Sequence, residues 1–211
     1  MTIEIIPAIL VHSEEEFRGK VARVGILPKT IQIDVMDGVF VNNTTWADPS
    51  VIAAMQLPYK IEVHLMVANP VTVVERWFGI AQRILVHAEA VGWQEAVEKC
   101  RAAGCEFGVV LNPETPIAVL DPVLASLDTV QIMGVTPGWS GQAFQPIAIE
   151  KTAALHALRP EMPIEIDGGV GKETIPLLAT AGATRFVAAS ALFGQTDFAA
   201  AYEQLKTLVR V

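Results

Sequence analysis

An eight-stranded α/β barrel is the fold this sequence predicts, on three observations. Eight short apolar segments start roughly 20 to 35 residues apart. Each is followed by a helical pattern or a long crossover, the alternation of a parallel sheet. No G-x-G-x-x-G follows any of them, which counts against the runner-up, a doubly wound open sheet. No linker or low-complexity stretch interrupts the chain, so residues 1–211 read as a single (β/α)8 TIM barrel domain.

The predicted strands are 3–10, 30–35, 61–66, 83–87, 106–111, 129–133, 163–167 and 184–188. Most are continuous apolar runs, as expected of strands buried on both faces. The first helix is predicted over 14–27, opened by a capping box of Ser13 with Glu16. Asn69 and Pro70 supply a cap and a first-turn proline for a helix over 71–78. A helix over 93–103 stops at Gly104. Segments 147–158 and 198–208 carry one apolar stripe each, and 121–126 has room only for a short helix.

Composition narrows the function. A net charge of -8 argues against a nucleic-acid partner, but not against a phosphorylated small molecule, which backbone N–H groups can bind locally. No run of about 18 apolar residues suggests a membrane span. The start, Met1-Thr2-Ile3-Glu4, has no basic leader region, and Cys100 and Cys105 are expected to be reduced and buried. A cytoplasmic protein is the expectation.

Active sites of such barrels lie at the C-terminal strand ends. Those ends carry Ala8, Gln32 with Asp34, His64, His87 with Glu89, Asn112, Met133, Asp167 and Ser190. Residues two apart on a strand share a face, so Gln32 and Asp34 point the same way, as do Glu62 and His64. Asp34 and Asp167, each followed by a Gly-bearing turn, are the candidate acid/base pair; a buried carboxylate otherwise needs a structural partner. His64 is a candidate substrate or metal contact, His87 is equally a core residue, and Asp37 reads as a turn former. His12 and His156 are expected at the surface. The loops with Gly138, Trp139, Ser140 and Gly141, with Gly168 and Gly169, and with Ala189 and Ser190 follow the last three strands. They are a candidate phosphate grip, with ordinary tight turns as the alternative. Met36, Met66 and Met133 are expected to line the pocket, though core packing explains them as well.

In order along the chain come Pro7-Ala8-Ile9-Leu10, Asp34-Val35-Met36-Asp37-Gly38, Val63-His64-Leu65-Met66-Val67, His87-Ala88-Glu89-Ala90, Asn112-Pro113, Pro137-Gly138 with Gly141-Gln142, Asp167-Gly168-Gly169-Val170 and Ala189-Ser190-Ala191. This series resembles the ribulose-phosphate 3-epimerase family from residue 7 to about 193. The resemblance implies interconversion of ribulose 5-phosphate and xylulose 5-phosphate, a step of pentose phosphate metabolism. Asp34 and Asp167 would act on opposite faces of C3 through a cis-enediolate. It also implies a divalent metal (Mg, Mn, Fe or Zn) held by two His and the same two Asp, no organic cofactor, a phosphorylated sugar as partner, and a homo-oligomer. His64 matches the second His ligand. Gln32 stands where the family has the first, and Ala8 where it has a substrate-contacting Ser. Asn42 replaces a usual Pro and Ser140 a usual Gly.

An amide for an imidazole disfavours Zn²⁺ and suits a harder ion. Three outcomes follow: Gln32 coordinates a hard metal through its oxygen, or its NH₂ serves a metal-free site, or catalysis is lost and a phosphosugar-binding shell remains. An epimerase or lyase acting on a different sugar phosphate is the further alternative.

Overall fold

The structure, a computed structural model, describes residues 3–139 and 141–209. Eight parallel strands pair in sequence order and close, the first against the last. They are β1 (Glu4–Ile9), β2 (Thr30–Met36), β3 (Lys60–Met66), β4 (Arg83–His87), β5 (Glu106–Leu111), β6 (Thr129–Met133), β7 (Ile164–Asp167) and β8 (Arg185–Ala188). Three match the predicted bounds; the others differ by a residue at one or both ends, where strand pairing rather than side-chain pattern sets the limit.

The seven helices among the described residues are α1 (Glu14–Val24), α2 (Pro49–Ala54), α3 (Trp93–Ala102), α4 (Ile147–Leu158), α5 (Ile175–Thr180), α6 (Ser190–Phe193) and α7 (Phe198–Leu208). Ser13 caps α1 by accepting from Glu16 N at 3.2 Å, and Glu16 accepts from His12 N at 2.8 Å. The helix stops at Val24, short of the expected 27, because Gly25 turns the chain at φ 63. The helix expected over 71–78 is instead two 3-10 turns, Pro70–Thr72 and Val74–Trp77, and Asn69 makes no side-chain cap. Four β-branched residues in a row, Val71 to Val74, account for that. The segment 121–126 likewise yields a 3-10 turn, Leu124–Ser126. Neither α2, capped by Asp48, nor α5 is among the predicted helices. Cys105 is half-buried rather than buried, being the turn residue before β5, and both cysteines are free.

Alternation divides the strands' side chains. Outward residues such as Ile33, Val63, Ile84, Val109, Ile132, Ile166 and Phe186 pack under the helices in one apolar core with Phe17, Trp77 and Leu178. Inward residues are unusually polar. At the N-terminal end Arg83 Nε donates to Glu106 at 2.7 Å, and its Nη1 bonds Glu62 and lies 3.4 Å from Glu165. Burial raises the pKa of both Glu62 and Glu165, and the charge of Glu62 adds to the rise at Glu165. That ionic floor stands two residues below His64 and Asp167 on the same strands, so the site above rests on a buried, ion-paired base.

Candidate functional site

At the C-terminal mouth one cavity is lined by Ala8, Asp34, Met36, His64, Met66, Met133, Gly138, Trp139, Gly141, Asp167, Gly168, Gly169, Ala189 and Ser190. The structure thus brings these sequence-selected residues together. Gln32 lies beneath, fully buried, and Ser140 is outside the described residues. Leu10, Val135, Pro137, Val170 and Val187 also line the cavity; apolar residues at loop roots carry no distinguishing sequence signal.

Strand register sets the polar centre. Asp34 pairs with His64 and Met133 with Asp167, so the tips of β2, β3, β6 and β7 meet in the mouth. His64 Nδ1 stands 3.3 Å from Asp34 Oδ1 and 3.1 Å from Asp167 Oδ2. Burial alone would depress its pKa, but hydrogen bonds and charge from both carboxylates outweigh this and raise it to about 10. Burial raises the pKa of Asp34, and the nearby charge of Asp167 adds to it.

Gln32 Nε2 donates to Asp34 Oδ1 and to Asp167 Oδ2, 2.8 Å each. An NH₂ group has two hydrogens, and both are used. The amide therefore bridges the two carboxylates and has no hydrogen left for a substrate oxygen. Gln131, which sequence pattern alone does not single out, also reaches Asp167 Oδ2, at 3.3 Å. Its one signal is a lone amide in an otherwise apolar strand, Thr129-Val130-Gln131-Ile132-Met133.

His87 backs His64: the two Nε2 atoms are 2.8 Å apart, and His87 Nδ1 is 3.1 Å from Glu89 Oε2. Burial holds the pKa of His87 down at about 4, helped by the charge of His64. Burial would raise Glu89, but bonds from His87, Thr115 and Asn112 N bring it to about 2. A charged His64 then donates to neutral His87, which donates to Glu89. His87 is fully buried behind His64, hydrogen-bonded on both ring nitrogens and without lining the cavity. Asp37 is a turn former: Oδ1 accepts from Val39 N and Phe40 N at 2.8 Å, and Oδ2 from Ala68 N at 2.7 Å. His12 is exposed, while His156 is half-buried against Gly182.

Asp34, His64 and Asp167 present one ligand atom each within 4.8 Å of one another, a set that could hold a metal ion. Gln32 Oε1 is buried without a hydrogen-bond partner, and turning the amide over would present this oxygen to the same place. The residues therefore fit a divalent ion.

None of the described lining residues is Lys or Arg. An anion would be met by backbone N–H groups and by uncharged side-chain donors such as the Ser190 hydroxyl. Gly168 and Gly169 have φ 95 and 66, and a Cβ on Gly169 would lie 2.7 Å from Phe144 Cβ. Only glycine lets the backbone pass here. Asn43 Nδ2 donates to Gly138 O at 2.8 Å and ties the loop after β6 to the loop after β2. No helix among the described residues is long and apolar enough to cross a membrane.

The sequence model described as "Ribulose-phosphate 3 epimerase family" matches residues 4–193. The ribulose-phosphate 3-epimerase of Bacillus subtilis is 38% identical over 187 residues, 83% of this chain and 85% of that protein. The Chlamydia pneumoniae protein of the same name is 40% identical, over 77% of this chain and 75% of that one. Among solved structures, KGPDC from Streptococcus mutans superposes with a TM-score of 0.75 at 14% identity, covering 100% of this chain and 98% of that chain, a likeness of fold.

Proposed function

This chain belongs to the ribulose-phosphate 3-epimerase family, and from that premise we propose that it inverts C3 of a ketopentose phosphate, converting ribulose 5-phosphate to xylulose 5-phosphate. The observation that carries the reading is the pair of carboxylates, Asp34 and Asp167, bound to one amide and one imidazole at the floor of a single cavity.

With C3 of the substrate between them, one Asp removes the proton from one face. The electron pair moves into the C2–C3 bond as the enediolate forms, and the other Asp returns a proton to the opposite face. Asp34, whose pKa burial raises, holds its proton in one direction of the reaction. A C–H next to a carbonyl is less acidic than a carboxylic acid by about 13 pKa units, a mismatch of order 18 kcal/mol. His64 lines the cavity and retains its proton, so it sets positive charge beside the developing enediolate. Met36, Met66 and Met133 exclude water from the reacting carbon. Backbone N–H groups near Gly138, Gly141, Gly169 and Ser190 hold the phosphate.

When a divalent ion is bound, Asp34, His64, Asp167 and the oxygen of Gln32 would hold it, and it would supply Lewis-acid stabilisation of negative charge. Gln32 and the proton on His64 weaken that site relative to one built with two neutral imidazoles. A cytoplasmic homo-oligomer belongs to the same proposal. The test is incubation of the purified protein with ribulose 5-phosphate. Xylulose 5-phosphate appearing at a rate proportional to protein supports the reading; saturable binding without product would replace it with a phosphosugar-binding role.

A further inference from the structure

Gln131 on β6 is fully buried inside the barrel. Its register partners are Val110 on β5, which belongs to a small apolar cluster with Leu85 and Met133, and Glu165 on β7. A buried amide costs free energy unless it is hydrogen-bonded. Its Nε2 lies 3.3 Å from Asp167 Oδ2 and 3.4 Å from both ring nitrogens of His64. Its Oε1 has no partner, and both nitrogens of a charged His64 are donors, so Asp167 Oδ2 is the acceptor that Nε2 finds in the site.

Asp167 Oδ2 thereby meets three donors: Gln32 Nε2 at 2.8 Å from β2, His64 Nδ1 at 3.1 Å from β3 and Gln131 Nε2 at 3.3 Å from β6. Among the described residues Oδ1 of Asp167 accepts no hydrogen bond, and Asp167 lines the cavity. Donors arriving from opposite walls fix both the position of Oδ2 and the plane of the carboxylate. Building on the epimerase reading, we propose that Gln131 is a positioning residue: it locks Asp167 with Oδ2 inward and leaves Oδ1 as the oxygen that exchanges the C3 proton. In that exchange the C3–H bond breaks, an O–H bond forms at Oδ1, and the electron pair enters the enediolate.

The test uses Gln131→Leu and Gln131→Met, first checked for native circular dichroism and unfolding. Each should lower kcat about tenfold to hundredfold with KM unchanged, because a loosened carboxylate leaves the reactive geometry while the phosphate grip stays intact. The primary isotope effects should diverge. With the epimer whose C3 proton Asp167 removes, the deuterium effect should rise. With the other epimer it should fall, as proton transfer at Asp167 becomes the slower of the two steps. Unchanged kcat in a folded variant, or isotope effects that move together, would overturn the proposal. If neither variant folds, the side-chain amide resonance of Gln131 in the otherwise intact protein decides. It should shift in Asp167→Asn, and a stationary resonance would overturn the contact. Absence of C3 exchange by the unaltered protein would instead overturn the epimerase reading, and that resonance would still report on the clamp.

Discussion

Gln32 Nε2 stands 2.8 Å from Asp167 Oδ2, a bond that joins β2 to β7 across the interior of the barrel. The same nitrogen meets Asp34 Oδ1 at 2.8 Å, so one amide couples the two carboxylates proposed to work on opposite faces of a carbon. A residue that looks in sequence like a lost ligand is, in the fold, the link between the two carboxylates.

Asp34→Asn and Asp167→Asn should each lower epimerisation by about a hundredfold to ten-thousandfold, since each removes one proton-transfer group. KM should change little, because the phosphate loops are untouched. Steady-state kinetics on both epimers check this; full activity in either variant would remove the two-carboxylate mechanism.

Gln32→Leu should destabilise the fold by about 1–3 kcal/mol, because both carboxylates lose a buried donor. Gln32→His should raise the amount of divalent metal retained after purification, by giving the Asp34, His64 and Asp167 set a second imidazole. Elemental analysis of the two preparations measures the difference, and equal metal content would count against the ligand assignment.

Loading an ion onto His64 competes with a proton that this ring holds up to about pH 10. At neutral pH that is about three pK units, or about 4 kcal/mol, against metal binding. Calorimetry of Mn²⁺ binding in buffers of different ionisation enthalpy should show about one proton released per ion, and affinity should climb with pH. Binding without proton release would show that His64 is neutral beforehand.

The two buried histidines titrate in opposite directions. His64 is raised from 6.5 to about 10, so its contribution to stability is full below pH 6.5 and is lost as pH rises through 10. His87 is lowered from 6.5 to about 4, so stability present above pH 6.5 is lost as pH falls toward 4. Their joint contribution should peak near pH 6.5. Imidazole NMR titration should find His64 charged and His87 neutral at pH 7; the reverse assignment would break the His64–His87–Glu89 chain.

The barrel was legible because buried parallel strands read as apolar runs, and runs such as 83–87 and 129–133 have few other interpretations. The gathering of Asp34, His64 and Asp167 followed from their places at strand tips. The helix misread at 71–78 shows the limit of cap signals: Asn69-Pro70 starts a turn, but the β-branched run behind it does not sustain a helix. α2, Pro49–Ala54, is too short for an apolar period to show. The roles of Gln32 and Gln131 were not legible, because they depend on which side chains meet inside the barrel. Sequence spacing gives the face of a strand and leaves the partner across the axis undetermined.

The most direct measurement is C3 hydrogen exchange in D₂O, followed by NMR on ribulose 5-phosphate with chelator-treated and Mg²⁺-supplemented protein. Deuterium entering C3 together with the appearance of xylulose 5-phosphate is the expected result. No exchange at high protein concentration under either condition would contradict the two-carboxylate epimerase, leaving a barrel that keeps its mouth and loops without moving the proton.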